Sequence, residues 1–447
     1  MSDNRLHQVL YLFVYTICVL LVVSLIPPFT IGDFAYRRVS LFSDVLREDE
    51  PVAVTDTIQE PPVIEPVQAG KKPCPEGMTC LEDFSPDGSA LKPFLQALEE
   101  TQSAPVRLVF FGDSFIEGDI LTASLRDTLQ QLYGGQGPGF VPITSEVARF
   151  RSTIAHTYSN WEQQTIIGKT EEDVSYVFGP LGNSAMPMEG NVVEYRTGKN
   201  KQPLPMPELY YSSQAVRKIR VTLDDSLISE KVLGIAPVLS RERLSNRPVR
   251  AVKVEVLATD SIHLFGVSFE RGSGIYVDNM AMRGNSGMAL SRIPGSVWRE
   301  YNRDGAVRLV VLQYGLNVVG ENDSTDYSGY VSSMTRVVEK IRSAFPESSI
   351  LIVSVSDRSS NQDGTYRTMP GILAMRKAQR RLAQKTGVAF WDLFEAMGGE
   401  NSMPSFVNRQ PPMAGKDYTH FNFRGGQFIA RKLAEAIEFE RRRYETP

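Results

Sequence analysis

Ser114 stands in FFGDSFIEGD, directly after an apolar run from Val106 to Phe111 and directly before a helix-like segment. A serine hydroxyl is a poor nucleophile near neutral pH and needs a base within hydrogen-bond reach, with a third group to orient that base. Of the four histidines, His7 precedes a long apolar stretch, and His156 and His263 lie in or at the edge of a β-rich segment. His420, in KDYTHFNFRGG, has Asp417 three residues before it, near the mouth of the last helix expected. A carboxylate there can lie beside the imidazole, hold its tautomer and stabilise the imidazolium. Acyl transfer also requires donors aimed at the oxygen that becomes negative. Asn317, in GLN after the strand-like VRLVVLQY, offers a side-chain N–H, and the turn RGNSGM offers a backbone N–H at Gly287, with Gly284 the alternative. Asp113 reads as a residue that fixes the turn, and YGGQGPGF lacks the Gly-Lys-Ser/Thr of a phosphate loop.

These residues can meet only if the strands before them end at one edge. VRLVFF leads through Ser114 into DILTASLRDTLQQLY, where Ile120, Leu121, Leu125, Leu129 and Leu132 share one helical stripe. The alternation returns in HLFGVSFERGSGIYVD, VRLVVLQYG, YVSSMTRVVEKIRSAF, SILIVSVS, GILAMRKAQRRLAQKTG and VAFWDLF, and closes in a helix from near Asn422. Strands alternating with helices predict an α/β domain with a parallel sheet covered on both faces. Residues 146–262 break the pattern with short β-type runs such as VVEYRT, ELYYSS and AVKVEVLAT, which predicts a β-sandwich inserted into that domain.

The remaining organisation follows from composition. After a tail at 1–8, residues 9–26 carry no charge and are long enough to cross a bilayer, so they read as a transmembrane anchor. Residues 27–90, rich in Pro, Glu and Asp, read as an extended linker; 91–145 and 263–447 form the discontinuous α/β domain. Cys74 and Cys80 lie close enough to close a small disulfide loop in an oxidising compartment, and two thiols with scattered histidines provide no metal cluster. With 48 basic against 52 acidic residues there is no cationic surface for nucleic acid. The expected location is the inner membrane, single-pass, with the folded part in the periplasm.

The order GDS, glycine turn, GLN, DYTH resembles the four blocks of the SGNH, or GDSL-type, hydrolases, over about residues 105–145 and 262–435. More narrowly, GDSFIEGDILTASLRDTLQQLYGGQGPGFVP and LFGVSFERGSGIYVDNMAMRGNSG, with the β-rich segment between them, are similar to periplasmic peptidoglycan O-acetylesterases, in which the insertion is a carbohydrate-binding-module-like domain. The resemblance implies a flavodoxin-like three-layer α/β/α hydrolase domain that uses no metal or cofactor. Ser114 would be the nucleophile, Asp417 and His420 its partners, and the Ser114 amide, Gly287 and Asn317 the oxyanion hole. The implied activity is O-acetyl ester hydrolysis on an acetylated cell-envelope polysaccharide, peptidoglycan first. Transfer of the acetyl group to another envelope glycan, and a non-catalytic, membrane-tethered glycan-binding role, are the competing readings. Two departures from the family pattern bear on substrate detail: Val318 follows Asn317 where an acid is common, and Phe115 follows Ser114 where a polar residue is usual.

Overall fold

Val106, Leu108 and Phe110 bury into one core while Val109 and Phe111 bury into another, so the strand carrying them is covered on both faces. The same division runs through Leu309 and Val311 against Val310 and Leu312. In this computed structural model the described residues are 73–167, 177–199, 201–320 and 326–445, with Tyr11, Tyr15, Thr16, Phe29–Ile31 and Phe34–Tyr36. A six-stranded sheet contains β1 (Leu81–Asp83), β2 (Pro105–Gly112), β3 (Gly274–Ala281), β4 (Val307–Gln313), β5 (Ser349–Val353) and β6 (Ala389–Trp391) in the order β3-β2-β4-β5-β6-β1. All pairings are parallel except β1 with β6. The strand order reverses at β2, which has β3 on one side and β4 on the other. In open α/β sheets the crevice beyond the carboxyl ends at such a reversal is where ligands bind.

Helices α1 (Lys92–Glu99), α2 (Thr122–Tyr133) and α8 (Phe423–Glu445) cover one face through Leu95, Leu125, Leu129, Ile429 and Leu433. The other face is covered by α3 (Gly295–Tyr301), α4 (Ser328–Ala344) and α5 (Pro370–Thr386), through Trp298, Val337, Ile341 and Ile372. Short helices α6 (Leu393–Met397) and α7 (Ser402–Asn408) precede α8. The buried residues of α2 are Thr122, Leu125, Arg126, Leu129 and Tyr133, so the expected stripe fails at Leu132, which is 53% exposed.

Residues 139–269 supply a nine-stranded antiparallel sheet. Strands Leu227–Leu233 and Ala236–Arg243 stand at opposite ends of its hydrogen-bonded order, yet only Gly234 and Ile235 separate them in sequence. The sheet therefore curls back on itself, around Tyr195, Leu209, Val221, Val254 and Leu264. Its boundaries differ from those expected. Gly139–Pro142 and Ile262–Phe269 pair with each other in this sheet, although HLFGVSF reads as a strand of the parallel sheet. A run buried on both sides looks the same in either setting.

The α/β body also begins earlier than residue 91. The Cys74–Cys80 disulfide is formed, the Trp391 indole N–H donates to the Thr79 carbonyl at 2.9 Å, and Leu81–Asp83 is the sheet's edge strand. A strand of three residues is too short to display alternation. Met1–Val63 is a separate unit, in which Phe29–Ile31 pairs antiparallel with Phe34–Tyr36 inside the expected linker. Apart from Tyr11, Tyr15 and Thr16, the expected anchor at 9–26 lies outside the described residues, and no described helix is long and apolar enough to cross a membrane.

Candidate active site

The chain leaves β2 at Gly112, where a Cβ would lie 2.7 Å from Ile116 Cγ1, so only glycine fits the turn. Asp113 then closes the turn: its carboxylate accepts the Phe115 N–H at 3.0 Å and its carbonyl accepts the Ile116 N–H at 3.3 Å. Ser114 is thereby held at the carboxyl edge of the sheet, half-buried, beside the point where strand order reverses.

The segment that carries Asp417 and His420 is a closed loop. Ala414 and Phe421 bridge its ends, and the Gly415 N–H donates to the His420 carbonyl at 2.9 Å. Because α8 starts only at Phe423, Asp417 and His420 meet through this turn and not along a helix. Asp417 Oδ1 accepts the N–H groups of Thr419 and His420, both at 3.1 Å, and Oδ2 lies 2.7 Å from His420 Nδ1. On the far side of the ring, Nε2 lies 3.0 Å from Ser114 Oγ. With a carboxylate at Nδ1, the neutral ring keeps its proton there and leaves Nε2 free to accept the serine proton. Burial pulls the Asp417 pKa up, but the hydrogen bonds from the His420 ring and from the His420 and Thr419 amides pull harder, leaving it below the usual value. The residues following the two reactive side chains also pack together: the Phe115 and Phe421 rings sit 4.4 Å apart. That contact gives Phe115 a role in holding the nucleophile and base segments to each other.

The glycine turn shows two environments. The Gly287 N–H donates to Asn285 Oδ1 at 2.9 Å, an Asx-turn that uses the amide two residues ahead. A Cβ on Gly287 would lie 2.7 Å from the Tyr314 ring, so this glycine serves close packing. The N–H groups of Ser114 and of the exposed Gly284 carry no hydrogen bond to another described residue. Asn317 Nδ2 donates to Asp113 Oδ2 at 2.9 Å and to the Asn285 carbonyl at 3.1 Å, so both its hydrogens are engaged in this state. Asp113 itself is pushed up to about 6 by burial, against the opposing pull of the Phe115 amide, the His420 charge and the Asn317 carboxamide.

His156 and His263 lie outside this site. His156 is buried with Nε2 3.0 Å from the Ile143 carbonyl, and His263 lies 3.4 Å from Ser184 Oγ. Among the described residues no group of His, Cys, Asp and Glu could hold a metal ion. Sequence reasoning passed over one element at the rim, a hairpin of Ser359–Gln362 and Thr365–Thr368 whose Tyr366 stacks on Tyr418. Its signal was Asp363-Gly364, a two-residue hairpin turn pair.

Compared with solved structures, the chain matches a peptidoglycan O-acetylesterase with a TM-score of 0.65 and 22% identity, over 81% of this chain and 99% of that one. Over that span the chain shares the fold of that solved structure. An acetyl xylan esterase matches with a TM-score of 0.28 and 19% identity over 36% of this chain and 80% of that one. A family two carbohydrate esterase from Clostridium thermocellum in complex with cellohexaose matches with a TM-score of 0.28 and 11% identity, over 58% and 95%. These two share too little backbone to add to the assignment. No family model and no curated protein matches the chain by sequence.

Proposed function

We propose that this chain is a serine esterase that removes O-acetyl groups from an acetylated cell-envelope polysaccharide, peptidoglycan first. The observation that supports it most is the unbroken path from Ser114 Oγ to His420 Nε2 at 3.0 Å and from His420 Nδ1 to Asp417 at 2.7 Å. In this reading Ser114 Oγ attacks the acetyl carbonyl carbon while its proton passes to His420 Nε2, and Asp417 stabilises the imidazolium. The tetrahedral oxyanion is met by the Ser114 N–H, by a backbone N–H of the glycine turn, Gly287 or its alternative Gly284, and by Asn317 once one of its hydrogens turns away from the Asn285 carbonyl. His420 then gives its proton to the departing sugar oxygen. Water, deprotonated by His420, attacks the acetyl-Ser114 carbonyl and releases acetate with the free serine.

Peptidoglycan is preferred because the solved structure sharing this backbone over nearly its whole length is described as a peptidoglycan O-acetylesterase. Tethering by residues 9–26, with the folded part outside the inner membrane, is supported by the uncharged run and by a disulfide that persists in oxidising compartments. Acetate release by purified protein from O-acetylated peptidoglycan and from acetylated xylan tests the proposal. The expected result is release from peptidoglycan that disappears with Ser114→Ala. Release from xylan alone would move the substrate, acetyl appearing on an added acceptor glycan would mark a transferase, and release undiminished by Ser114→Ala would overturn the mechanism.

A further inference from the structure

Tyr418 stands between Asp417 and His420 with a φ of 52°, the left-handed region that a residue with a Cβ enters only at an energetic cost. Such a conformation persists where the surroundings over-determine it. The Asp417 and His420 side chains are 50% and 41% exposed, so packing around the pair itself is thin and the constraint must come through the backbone between them.

The hairpin at the rim supplies part of that constraint, beside the Tyr418 N–H, which donates to the Gly415 carbonyl at 3.2 Å, and the packing of Tyr418 on the core. Strands Ser359–Gln362 and Thr365–Thr368 are joined by Asp363 and Gly364, with φ of 50° and 84°, a two-residue turn whose twist matches that of the strands. The base of the hairpin is fixed to the body. The Thr368 hydroxyl donates to Asp357 Oδ1 at 2.8 Å, the Met403 N–H donates to Asp357 Oδ2 at 2.7 Å, and the Asn401 N–H donates to Thr368 Oγ1 at 2.7 Å. From that base it touches the catalytic loop twice. The Ser359 N–H donates to the Tyr418 carbonyl at 3.1 Å, and the Tyr366 ring lies flat on the Tyr418 ring, centroids 3.6 Å apart and planes 4° from parallel.

We propose that this hairpin is a template for the Asp417–His420 pair, with Tyr366 a positioning residue that keeps Tyr418 left-handed and so aims the imidazole at Ser114. Its effect on rate rests on the esterase reading, whereas its effect on the imidazole does not. A rim tyrosine such as Tyr366, exposed and stacked on the half-buried Tyr418, is also what a sugar ring packs on, and the test separates the two roles.

Tyr366→Ala and Tyr366→Phe are compared with the wild-type chain in three measurements. These are kcat and KM on an aryl acetate, which carries no sugar, the same constants on O-acetylated peptidoglycan, and the proton NMR resonance of His420 Nδ1–H. The template predicts that Tyr366→Ala lowers kcat on both substrates by up to about 10²-fold with KM for the aryl acetate unchanged. It also predicts loss of the downfield Nδ1–H resonance, with Tyr366→Phe restoring both. A wild-type kcat on the aryl acetate with KM raised on the polymer alone would overturn it in favour of a sugar platform. An Nδ1–H resonance unaltered in Tyr366→Ala would overturn it too. If the wild-type chain cleaves neither ester, the esterase reading fails, and the resonance still decides the template.

Discussion

At one end of the loop that follows β2, Asp119 is fully buried among cations: Arg151 Nε donates to it at 2.9 Å, Arg126 at 3.3 Å, and the hydroxyls of Thr122 and Thr153 at 2.9 and 2.6 Å. At the other end Asp113, equally buried, meets the Phe115 N–H and the Asn317 carboxamide and has no arginine or lysine ion pair among the described residues. Burial alone would raise both. For Asp119 the two guanidinium groups outweigh it and hold the carboxyl well below the usual range, whereas Asp113 is left at about 6. The Asp119 end ties the loop to α2 and to the start of the nine-stranded sheet, and so serves stability. The Asp113 end, beside Ser114, keeps a buried charge incompletely compensated in order to fix Asn317. Nearby, Asn285 Nδ2, Gln313 Oε1 and the Tyr314 hydroxyl are also buried without a partner.

Substitutions should therefore separate activity from stability along this one loop. The largest effect is expected from Ser114→Ala or His420→Ala, a loss in kcat on the order of 10⁴–10⁶-fold with the melting temperature unchanged, measured on an aryl acetate. Asp119→Ala comes next and falls on stability. It leaves Arg126, 2% exposed, buried without its carboxylate, and chemical denaturation should report a loss of about 3–5 kcal/mol. Asn317→Ala should cost roughly 10²–10³-fold in kcat while denaturation midpoints hold.

The smallest change carries the sharpest sign. Asp113 rises from 3.8 to about 6 on folding, so the folded chain keeps a proton that the unfolded chain has released. Stability from this group is present below the unfolded value, is lost as pH climbs to the folded value, and stays lost above it. At about 1.4 kcal/mol per tenfold change in proton affinity, the loss is about 3 kcal/mol. Asp119, held below 3.8, has the opposite sense: its contribution is complete above that pH and is lost as acid reaches its folded pKa. Asp113→Asn should flatten stability between about pH 4 and 6 and leave it equal or higher at neutral pH, by thermal melts across that range. A variant that is less stable at pH 7 would make Asp113 a stabilising residue and dissolve the contrast.

Much of this arrangement is legible in the sequence because its signals are local. Ser114 and Asn317 each follow a run of apolar residues long enough to mark a buried strand, and the Asp417–His420 spacing is short enough to be closed by a turn. The illegible parts depend on partners distant in the chain or on ambiguous periodicity. HLFGVSF is apolar throughout and fits either sheet. Leu81–Asp83 is too short to alternate, and Arg151 reaches Asp119 from the far side of α2. The Asx-turn that holds the Gly287 N–H on Asn285 is likewise invisible in the spacing of the glycine turn.

The central claim is that Ser114 is the one activated hydroxyl of this chain, and active-site titration with a serine-directed fluorophosphonate reads it directly. Intact mass and peptide mapping should find a single adduct per chain, on Ser114, slowed by acetylated glycan and absent from His420→Ala. A folded wild-type protein that takes no adduct, or takes it on another residue, would contradict the account.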